Sequence, residues 1–505
     1  MTTSAQAPVR LDRDDSGRRP WRSGSDGQAL PLAEPRWPKL SFQAVRRHHL
    51  RKLLPNIISR QGADMAITTV TGTTSAAIQA DINAAAAGDI LYLPGTTYTL
   101  STTINVNKAI TLWFGGGQYN VTHNGPGFSV SAAASLRAQA RTTITGPRST
   151  NAYVSGSNAF LIAGASAAAP VQDVIVEGPF IVSQFLEGGV RGEFLRSVSI
   201  RGVTIRDCTY FGIALVSALD AHIDSNTVDG LRPEGCSALG AAGVENAYGI
   251  TVTRSSGSTT TYPIPERIWI TNNRIRGVKT WHGIDTHGAR KLHIVDNDVQ
   301  ECRDGIYLTL TDASGTYLPP AECVVRGNRL RGQFRTPDLR SGWGIFVSGE
   351  GAAAPAATQV LITDNQIYQF GWKGTSGHEA AAGISAAAVA GLNIRGNQVI
   401  DCGHRGILLA GSTPATAVFG SVGGNYVQSI TGVSDSGAGL ESYGAYVACT
   451  LDSGTFYSMA YALHAPIAPA SGNFGLWVAR AIGVTHITAL FSSNVGRIDL
   501  GATPI

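Results

Sequence analysis

One phrase recurs seven times along this chain: an apolar residue, two residues, Asn, one residue, an apolar residue. It reads Ile223…Asn226…Val228, Ile270…Asn273…Ile275, Ile294…Asn297…Val299, Val325…Asn328…Leu330, Ile362…Asn365…Ile367, Ile394…Asn397…Val399 and Val422…Asn425…Val427. A second phrase alternates with it: Gly212-Ile213, Gly249-Ile250, Gly283-Ile284, Gly305-Ile306, Gly344-Ile345, Gly383-Ile384, Gly406-Ile407 and Gly439-Leu440. The shortest Gly-to-Gly steps are 22 and 23 residues. An apolar strand on each side of an Asn corner, repeated at such a period, describes a stacked repeat. The Asn is expected to adopt the left-handed backbone of a sharp corner and to hydrogen-bond through its amide to the Asn one layer up. The chain therefore reads as an all-β solenoid whose functional groups lie on its outer faces.

Composition agrees with stacked coils. Gly accounts for 60 of 505 residues and charged residues for only 15%, as tight turns around a column of small and β-branched side chains require. The formal net charge of +4 is uneven: residues 1–64 hold 12 Lys/Arg against 6 Asp/Glu, and the remainder 27 against 29. The body is near neutral, which argues against nucleic acid as a partner. No run of about 18 apolar residues marks a membrane span, and the N-terminus has no charged-then-apolar secretory pattern. Virion parts share that second absence, so an extracellular or virion-associated setting stays open. The six cysteines show no zinc spacing. Cys208, Cys302 and Cys402 each fall three or four residues before a Gly-Ile pair, where free thiols would fill one core column.

Three regions follow. Residues 1–64 are Arg-, Pro- and Ser-rich without a strand pattern and read as a disordered extension, with Met65 as a plausible natural start and Arg46–Leu54 as a short basic helix. Residues 65–445 carry the repeats behind a short amphipathic helix, Ile78–Ala87, which would cap the open end of the first coil. Strands are expected at Ile90–Leu93, Tyr98–Leu100, Ile104–Val106 and Ile110–Leu112. Residues 446–505 read as a small β region, either an end cap or an oligomerisation element.

The run IQADINAAAAGDILYLPGTTYTLSTTINVNKAITL, followed by Gly-Ile and Asn coils, resembles the right-handed parallel β-helix superfamily over roughly residues 75–445. That superfamily includes pectate lyases, polysaccharide-cleaving phage tailspikes and mannuronan C5-epimerases. The FGAxGDG-type segment with which many relatives begin is missing here. The resemblance implies a polysaccharide as substrate or receptor, and its tailspike side leaves a homotrimer open.

Strand alternation indicates which side chains face outward. After each Gly the Ile points in, giving a second inward column of Leu215, Val252, Thr286, Leu308, Val347, Ala386 and Leu409. The first outward column is Ala214, Thr251, Asp285, Tyr307, Phe346, Ser385, Leu408 and Glu441; the second includes Thr253, His287, Thr309 and Tyr443. Asp285 and His287 thus project side by side, with Tyr307 one strand spacing, about 4.8 Å, from Asp285. Trp281 and His282 precede the Gly of that strand, and Tyr248, Asp304 and Arg405 hold the position of His282 in other coils.

Loop lengths point to the same place. From each repeat Asn to the next Gly the gaps are 23, 10, 8, 16, 18, 9 and 14 residues, so two tight coils are flanked by insertions near 231–247, 333–343 and 370–382. A low floor between raised walls suits a long polymer. The floor would carry Asp285, His287 and Tyr307 for catalysis with His282 beside them. Tyr248, Trp281, Arg303, Asp304, Trp343, Arg405, His378 and Glu379 would lie on or near its rims, with His404 read as part of a turn beside Arg405.

His282-Gly-Ile-Asp285-Thr-His287-Gly288 is similar to the GxDPH element of the mannuronan C5-epimerases, with Asp285 and His287 matching its Asp and His. Thr286 replaces Pro, and Gly288 stands where an acidic residue is common. In that family the pair neutralises a uronate carboxylate and abstracts the C5 proton. The residues support such chemistry: His as a base near neutrality, Tyr as an acid, Arg or a cation to offset the carboxylate. The expected function is lyase or C5-epimerase action on a uronic-acid-containing glycan. A non-catalytic glycan-binding or structural phage-tail-like protein is the competing class.

Hydrolysis needs two carboxyls about 5–9.5 Å apart. Asp304 lies roughly 11 Å from Asp285 by strand rise and spacing, which leaves the loop acids Glu245, Glu350 and Glu379 to complete a hydrolase pair. Calcium would want clustered oxygen ligands. The repeats show none, and a calcium ion remains open only through the pectate lyase likeness.

Overall fold

The chain divides into Met1–Asp64 and Met65–Ile505. The computed structural model describes residues 65–149, 152–313, 316–332, 342–349, 357–371, 382–403, 405–411, 418–430, 438–443, 447–451, 454–464 and 480–486. The expectations for residues 1–64, and those for Glu350, His378, Glu379 and His404, fall outside these residues.

The described residues from Met65 on form a parallel β-helix. Three faces stack coil upon coil. The first carries Tyr248–Thr253, His282–His287, Asp304–Thr309, Ile345–Ser348, Ala382–Ala387 and Arg405–Ala410, each paired in parallel with the next. The second runs through Glu266–Thr271, Arg290–Val295 and Cys323–Arg326, and the third through Arg274–Arg276, Asp298–Gln300 and Arg329–Arg331. The inward columns are buried as the alternation predicts: Ile250, Ile284, Ile306 and Ile345, and beside them Val252, Thr286, Leu308 and Val347, have no exposed surface. Thr286 is the polar member, and its hydroxyl has no hydrogen-bond partner.

The Asn residues line up in one file. In each layer the side-chain Oδ1 accepts both the backbone N–H and the Nδ2–H of the Asn one coil before, at 2.9–3.0 Å, from the Asn226–Asn273 pair through Asn273–Asn297, Asn297–Asn328, Asn328–Asn365, Asn365–Asn397 and Asn397–Asn425. The Nδ2 also donates to a carbonyl of the coil before, as Asn297 does to Ile270 at 2.8 Å. Every one of these amides is buried. The corner itself differs from expectation. The left-handed residue is the one before the Asn: Ser225, Asn272, Asp296, Gly327, Asp364, Gly396 and Gly424 have φ between 55° and 67°. Small polar residues or Gly tolerate that conformation, and the Asn that follows is left free to point inward.

The Gly of the Gly-Ile phrase is set by contact with the next coil. A Cβ on Gly249 would lie 2.4 Å from the carbonyl oxygen of Gly283 and 2.5 Å from Ile275 Cγ2; on Gly344 it would meet Gly383 and Ile367 at the same distances. Coils therefore approach closely where first and third faces converge, and the thiols of Cys208, Cys302 and Cys402 are buried in the core beside them. Burial pushes the Cys208 thiol up to about 12.

The capping helix spans Ser75–Ala84, three residues earlier than the apolar spacing indicates, because Thr74 accepts the Ala77 N–H as N-cap. Its Ile78 and Ile82 are buried on the first coils. Strands Ile90–Leu93, Thr97–Leu100, Ile104–Val106 and Thr111–Phe114 follow. Beyond Tyr443 the repeat text fades, yet Val447–Leu451, Gly454–His464 and Arg480–His486 still pair in parallel within the same sheet.

Two substitutions test this account. Asn297→Ala would orphan the two donors of Asn273 and the Ile270 carbonyl, and should lower unfolding free energy by about 3 kcal/mol or more, read from denaturant melts. Thr286→Val removes a buried, unpartnered hydroxyl at nearly constant volume and should raise stability by about 1 kcal/mol. A neutral Asn297→Ala or a destabilised Thr286→Val would contradict it.

Candidate functional site

The register of the first face brings the predicted residues together. Thr251, Asp285 and Tyr307 lie directly opposite one another in successive coils, as do Tyr248, His282 and Asp304. His282 sits three residues before Asp285 on the same strand, so its ring reaches two acids at once. Its Nδ1 is 2.7 Å from Asp285 Oδ1 and its Nε2 is 3.2 Å from Asp304 Oδ2. The second is an ion-pair contact lacking the alignment of a hydrogen bond, since Oδ2 of Asp304 has no hydrogen-bond donor. His287 Nε2 lies 3.0 Å from Asp285 Oδ2, to which Thr251 Oγ1 also donates at 3.1 Å. The result is a row, His287–Asp285–His282–Asp304, of alternating imidazole and carboxylate.

Three of these groups are not where a solvated outer face would put them. Asp285 and Asp304 are wholly buried and His282 nearly so, whereas the His287 side chain is 33% exposed. They face outward from the core column but are roofed by rings. His282 stacks between Trp281, at 4.8 Å, and Tyr307, at 4.1 Å, and Tyr307 stacks in turn on Phe346 at 4.6 Å. Asp285 and His282 are therefore not presented to solvent as the expected outward groups, and neither lines the groove described below. Strand rise and spacing overstate the separation of the two acids as well, because one imidazole spans the gap between them. Their burial and pairing remove Asp285 and Asp304 as an exposed hydrolytic pair.

Electrostatics follow from this burial. Burial opposes ionisation of Asp285, but the charge of His287 and the hydrogen bonds of both imidazoles outweigh it and hold its pKa well below the ordinary 3.8. Burial likewise opposes protonation of His282, and the hydrogen bond to Asp285 and then the contact with Asp304 overcome it, so its pKa lies above 6.5. His287 is raised too: Asp285's charge and hydrogen bond, with a backbone hydrogen bond at Leu310, exceed the cost of burial.

A groove of about 280 Å³ opens beside His287. Its floor is Ala214 and Thr251; Tyr153, Tyr210 and Tyr248 form a wall, their rings meeting at 5.5 Å, and Arg191 with Glu187 closes the far end. Burial pushes the Tyr210 phenol up to about 12 and Tyr248 higher, so both are neutral donors. Of the residues expected here, His287 and Tyr248 line the groove; Tyr307 lies on the other side of His282 and does not. Arg303 lies 4.5 Å over the Trp281 ring and 3.7 Å from Asp304. Trp343 donates its backbone N–H to Asp304 Oδ1 at 2.8 Å and packs on Phe346. Arg405 is buried and pairs with Ala382 in a later coil, so it takes no part in the groove.

Glu245 is also corrected. Its buried carboxylate accepts the N–H groups of Gly235 and Gly243 at 3.0 and 2.9 Å, which pins the 231–247 insertion. Gly288, the departure from the epimerase-like element, has φ +69°, and a Cβ there would lie 2.5 Å from Thr311 Cγ2 and 2.8 Å from the Leu318 carbonyl. The antiparallel hairpin Thr311–Ala313/Thr316–Leu318 occupies that space. Arg191 and Glu187 escape the sequence pattern because their coil reads Gly189-Val190 where the listed coils read Gly-Ile or Gly-Leu; allowing Val in the phrase would have placed Arg191 in the outward column, whereas Tyr210, two residues before Gly212, and Tyr153, in the segment before Asn158, lie outside the columns that alternation reads. Among the described residues no three His, Cys, Asp or Glu side chains converge as metal ligands, and no helix is long and apolar enough to cross a membrane.

Residues 196–444 match the family model described as right handed beta helix region. No curated protein sequence matches the chain. Among solved structures, the A-module of a mannuronan C-5 epimerase from Azotobacter vinelandii superposes over 81% of this chain and 94% of its own, with TM-score 0.50 and 14% identity. A Family 28 exopolygalacturonase of Yersinia enterocolitica covers 88% and 80%, with TM-score 0.44 and 12% identity. A tailspike protein of an E. coli bacteriophage covers 82% and 63%, with TM-score 0.43 and 13% identity. The chain is a right-handed parallel β-helix, a fold it shares with polysaccharide-acting proteins.

The charge row implies a pH signature. Asp285's contribution to stability is complete above 3.8 and is lost as pH falls through its depressed pKa. Those of His282 and His287 are complete below 6.5 and are lost as pH rises through their raised values. Stability from this cluster should therefore peak between 3.8 and 6.5 and decline on both sides. Asp285→Asn, which strips His287 of its counter-charge and leaves His282 only Asp304, should cost about 3–5 kcal/mol and flatten the profile. Denaturant midpoints of both proteins across pH are the check, and parallel profiles would refute the coupling.

Proposed function

We propose that this β-helix acts on a uronic-acid-containing polysaccharide by proton abstraction next to the sugar carboxylate, as a lyase or a C5-epimerase. The observation that carries the reading is His287. It is the partly exposed end of a buried imidazole–carboxylate row, and it opens on a groove walled by neutral phenols. With Nε2 held by Asp285, Nδ1 is the atom that takes the proton, giving up the backbone bond at Leu310 as substrate enters. The C5–H electrons pass into the carboxylate as an enediolate. Tyr248, on the groove wall and held protonated, supplies the balancing proton. Delivered to C5 from the opposite face, it completes epimerisation; delivered to the leaving oxygen as the C4–O bond breaks, it completes elimination. Asp285, His282 and Asp304 position and charge His287 without touching substrate.

A non-catalytic glycan-binding role is the second reading. It is favoured by the mutual contacts of Asp285, His282 and Asp304 inside the protein, which a purely structural ion cluster would also show.

Incubation with uronic-acid polymers separates these. Absorbance of the unsaturated product reports elimination, and the proton NMR spectrum of the polymer reports epimerisation. His287→Ala and Tyr248→Phe should each lower turnover by about 10²-fold or more, with Tyr307→Phe closer to wild type. Because a base must be unprotonated, kcat/KM should rise with pH through the raised pKa of His287, above 6.5, and the inflection should move down in Asp285→Asn. Binding without turnover in the wild type would leave the second reading.

A further inference from the structure

The groove is electrically unequal at its two ends, and the structure assigns different sugars to them. We infer that it takes a heteropolymer, with a uronate at His287 and a neutral, hydroxyl-rich sugar at Arg191. This rests on the reading of the groove as a glycan site.

Arg191, Ala214, Thr251 and Asp285 occupy one outward column in four successive coils, so Arg191 lies three strand spacings, about 14 Å, from Asp285. The short side chains of Ala214 and Thr251 between them leave the depression, long enough for a short run of sugar residues. At the far end Arg191 is held by two acids: Nη1 donates to Glu187 Oε1 at 2.6 Å, and Nε to Glu193 Oε1 at 2.8 Å, with Nη2 on the same oxygen. Glu187 is buried and accepts further from Tyr153 Oη, Gly156 N and Asn158 Nδ2, at 3.2, 2.7 and 2.8 Å. Its charge is fixed in place by that set of donors. One guanidinium thus faces two carboxylates, and this end carries a net negative charge.

The other end carries no such excess. His282 and Arg303 stand against Asp285 and Asp304, and His287 adds a positive charge in its protonated form. A sugar carboxylate meets no net negative charge there, whereas at Arg191 it would meet Glu193, which is 29% exposed. A neutral sugar fits the far end better. Its hydroxyls can donate to Glu193 and accept the N–H groups that Arg191 still has on its terminal nitrogens, against the ring wall of Tyr153 and Tyr210. Held rigid by its acids, Arg191 loses little freedom on binding, which favours it as a hydroxyl reader.

Titration calorimetry of the full chain tests this with three oligosaccharide probes of equal length: a neutral hexose oligomer, a homouronate, and an alternating uronate–hexose fragment. The alternating fragment should bind the wild type at least about tenfold more tightly than the homouronate. Arg191→Ala should lose about tenfold on the alternating fragment and little on the homouronate. Glu193→Gln, which keeps the shape and removes the charge, should narrow the preference by improving homouronate binding. Thermal melts establish that each variant is folded. Equal or tighter wild-type binding of homouronate, abolished by Arg191→Ala, would make Arg191 a carboxylate reader and overturn this inference alone. Failure of every probe to bind would overturn the glycan reading with it.

Discussion

The coils from Asn226 to Asn425 are locked one to the next by a buried amide that spends both its donors and its acceptor on neighbouring coils. Asn297 receives from Asn273, gives to Asn328 and reaches back to the Ile270 carbonyl. Such a contact tolerates no slip, because displacement by one residue would bury an unpaired amide and turn every side chain to the opposite face. Register in the site depends on it. That His282 falls opposite Asp304, and Asp285 opposite Tyr307, is a consequence of how the Asn corners stack, well away from the candidate site.

Given that register, the row of charges is stable only as a set. Two carboxylates without exposed surface would be expensive to ionise alone. Imidazoles lie between and beside them, Thr251 donates to Asp285 and the Trp343 backbone N–H to Asp304, and the imidazoles hold the Asp285 carboxyl below its ordinary range. The stacked rings of Trp281, His282, Tyr307 and Phe346 exclude water from the row. Water exclusion strengthens each pair electrostatically, and it leaves His287 as the member through which the buried charge is felt in the groove. The same principle governs the far end, where Glu187, Glu193 and Arg191 fix one another and leave an excess of one carboxylate.

Much of the fold was legible in the residues. The Asn phrase set the corners, the Gly-Ile phrase set the first face, and alternation identified the inward and outward columns, since period-two geometry is a local property of a strand. The left-handed residue at the corner was misassigned by one position. A sequence shows that a corner is present, whereas the choice between Ser225 and Asn226 for positive φ depends on which side chain is needed inside. The start of the capping helix shifted for a similar reason, Thr74 being a cap by virtue of its contact with Ala77.

The site was legible in part. Asp285, His287, His282 and Tyr248 were found because each holds a fixed place relative to a repeated Gly, and sequence by itself determined that they share one face. Whether a side chain that leaves the core column ends in water or under a neighbour's ring is a different matter. It depends on the rotamers and rings of adjacent coils, which no spacing along the chain encodes. Tertiary structure therefore decided that Asp285 and Asp304 are buried, that one imidazole joins them, and that Tyr248 faces the groove while Tyr307 does not. It also brought in Arg191, Glu187 and Tyr153, because stacking sums charge and shape across coils, and a groove is a property of several layers at once.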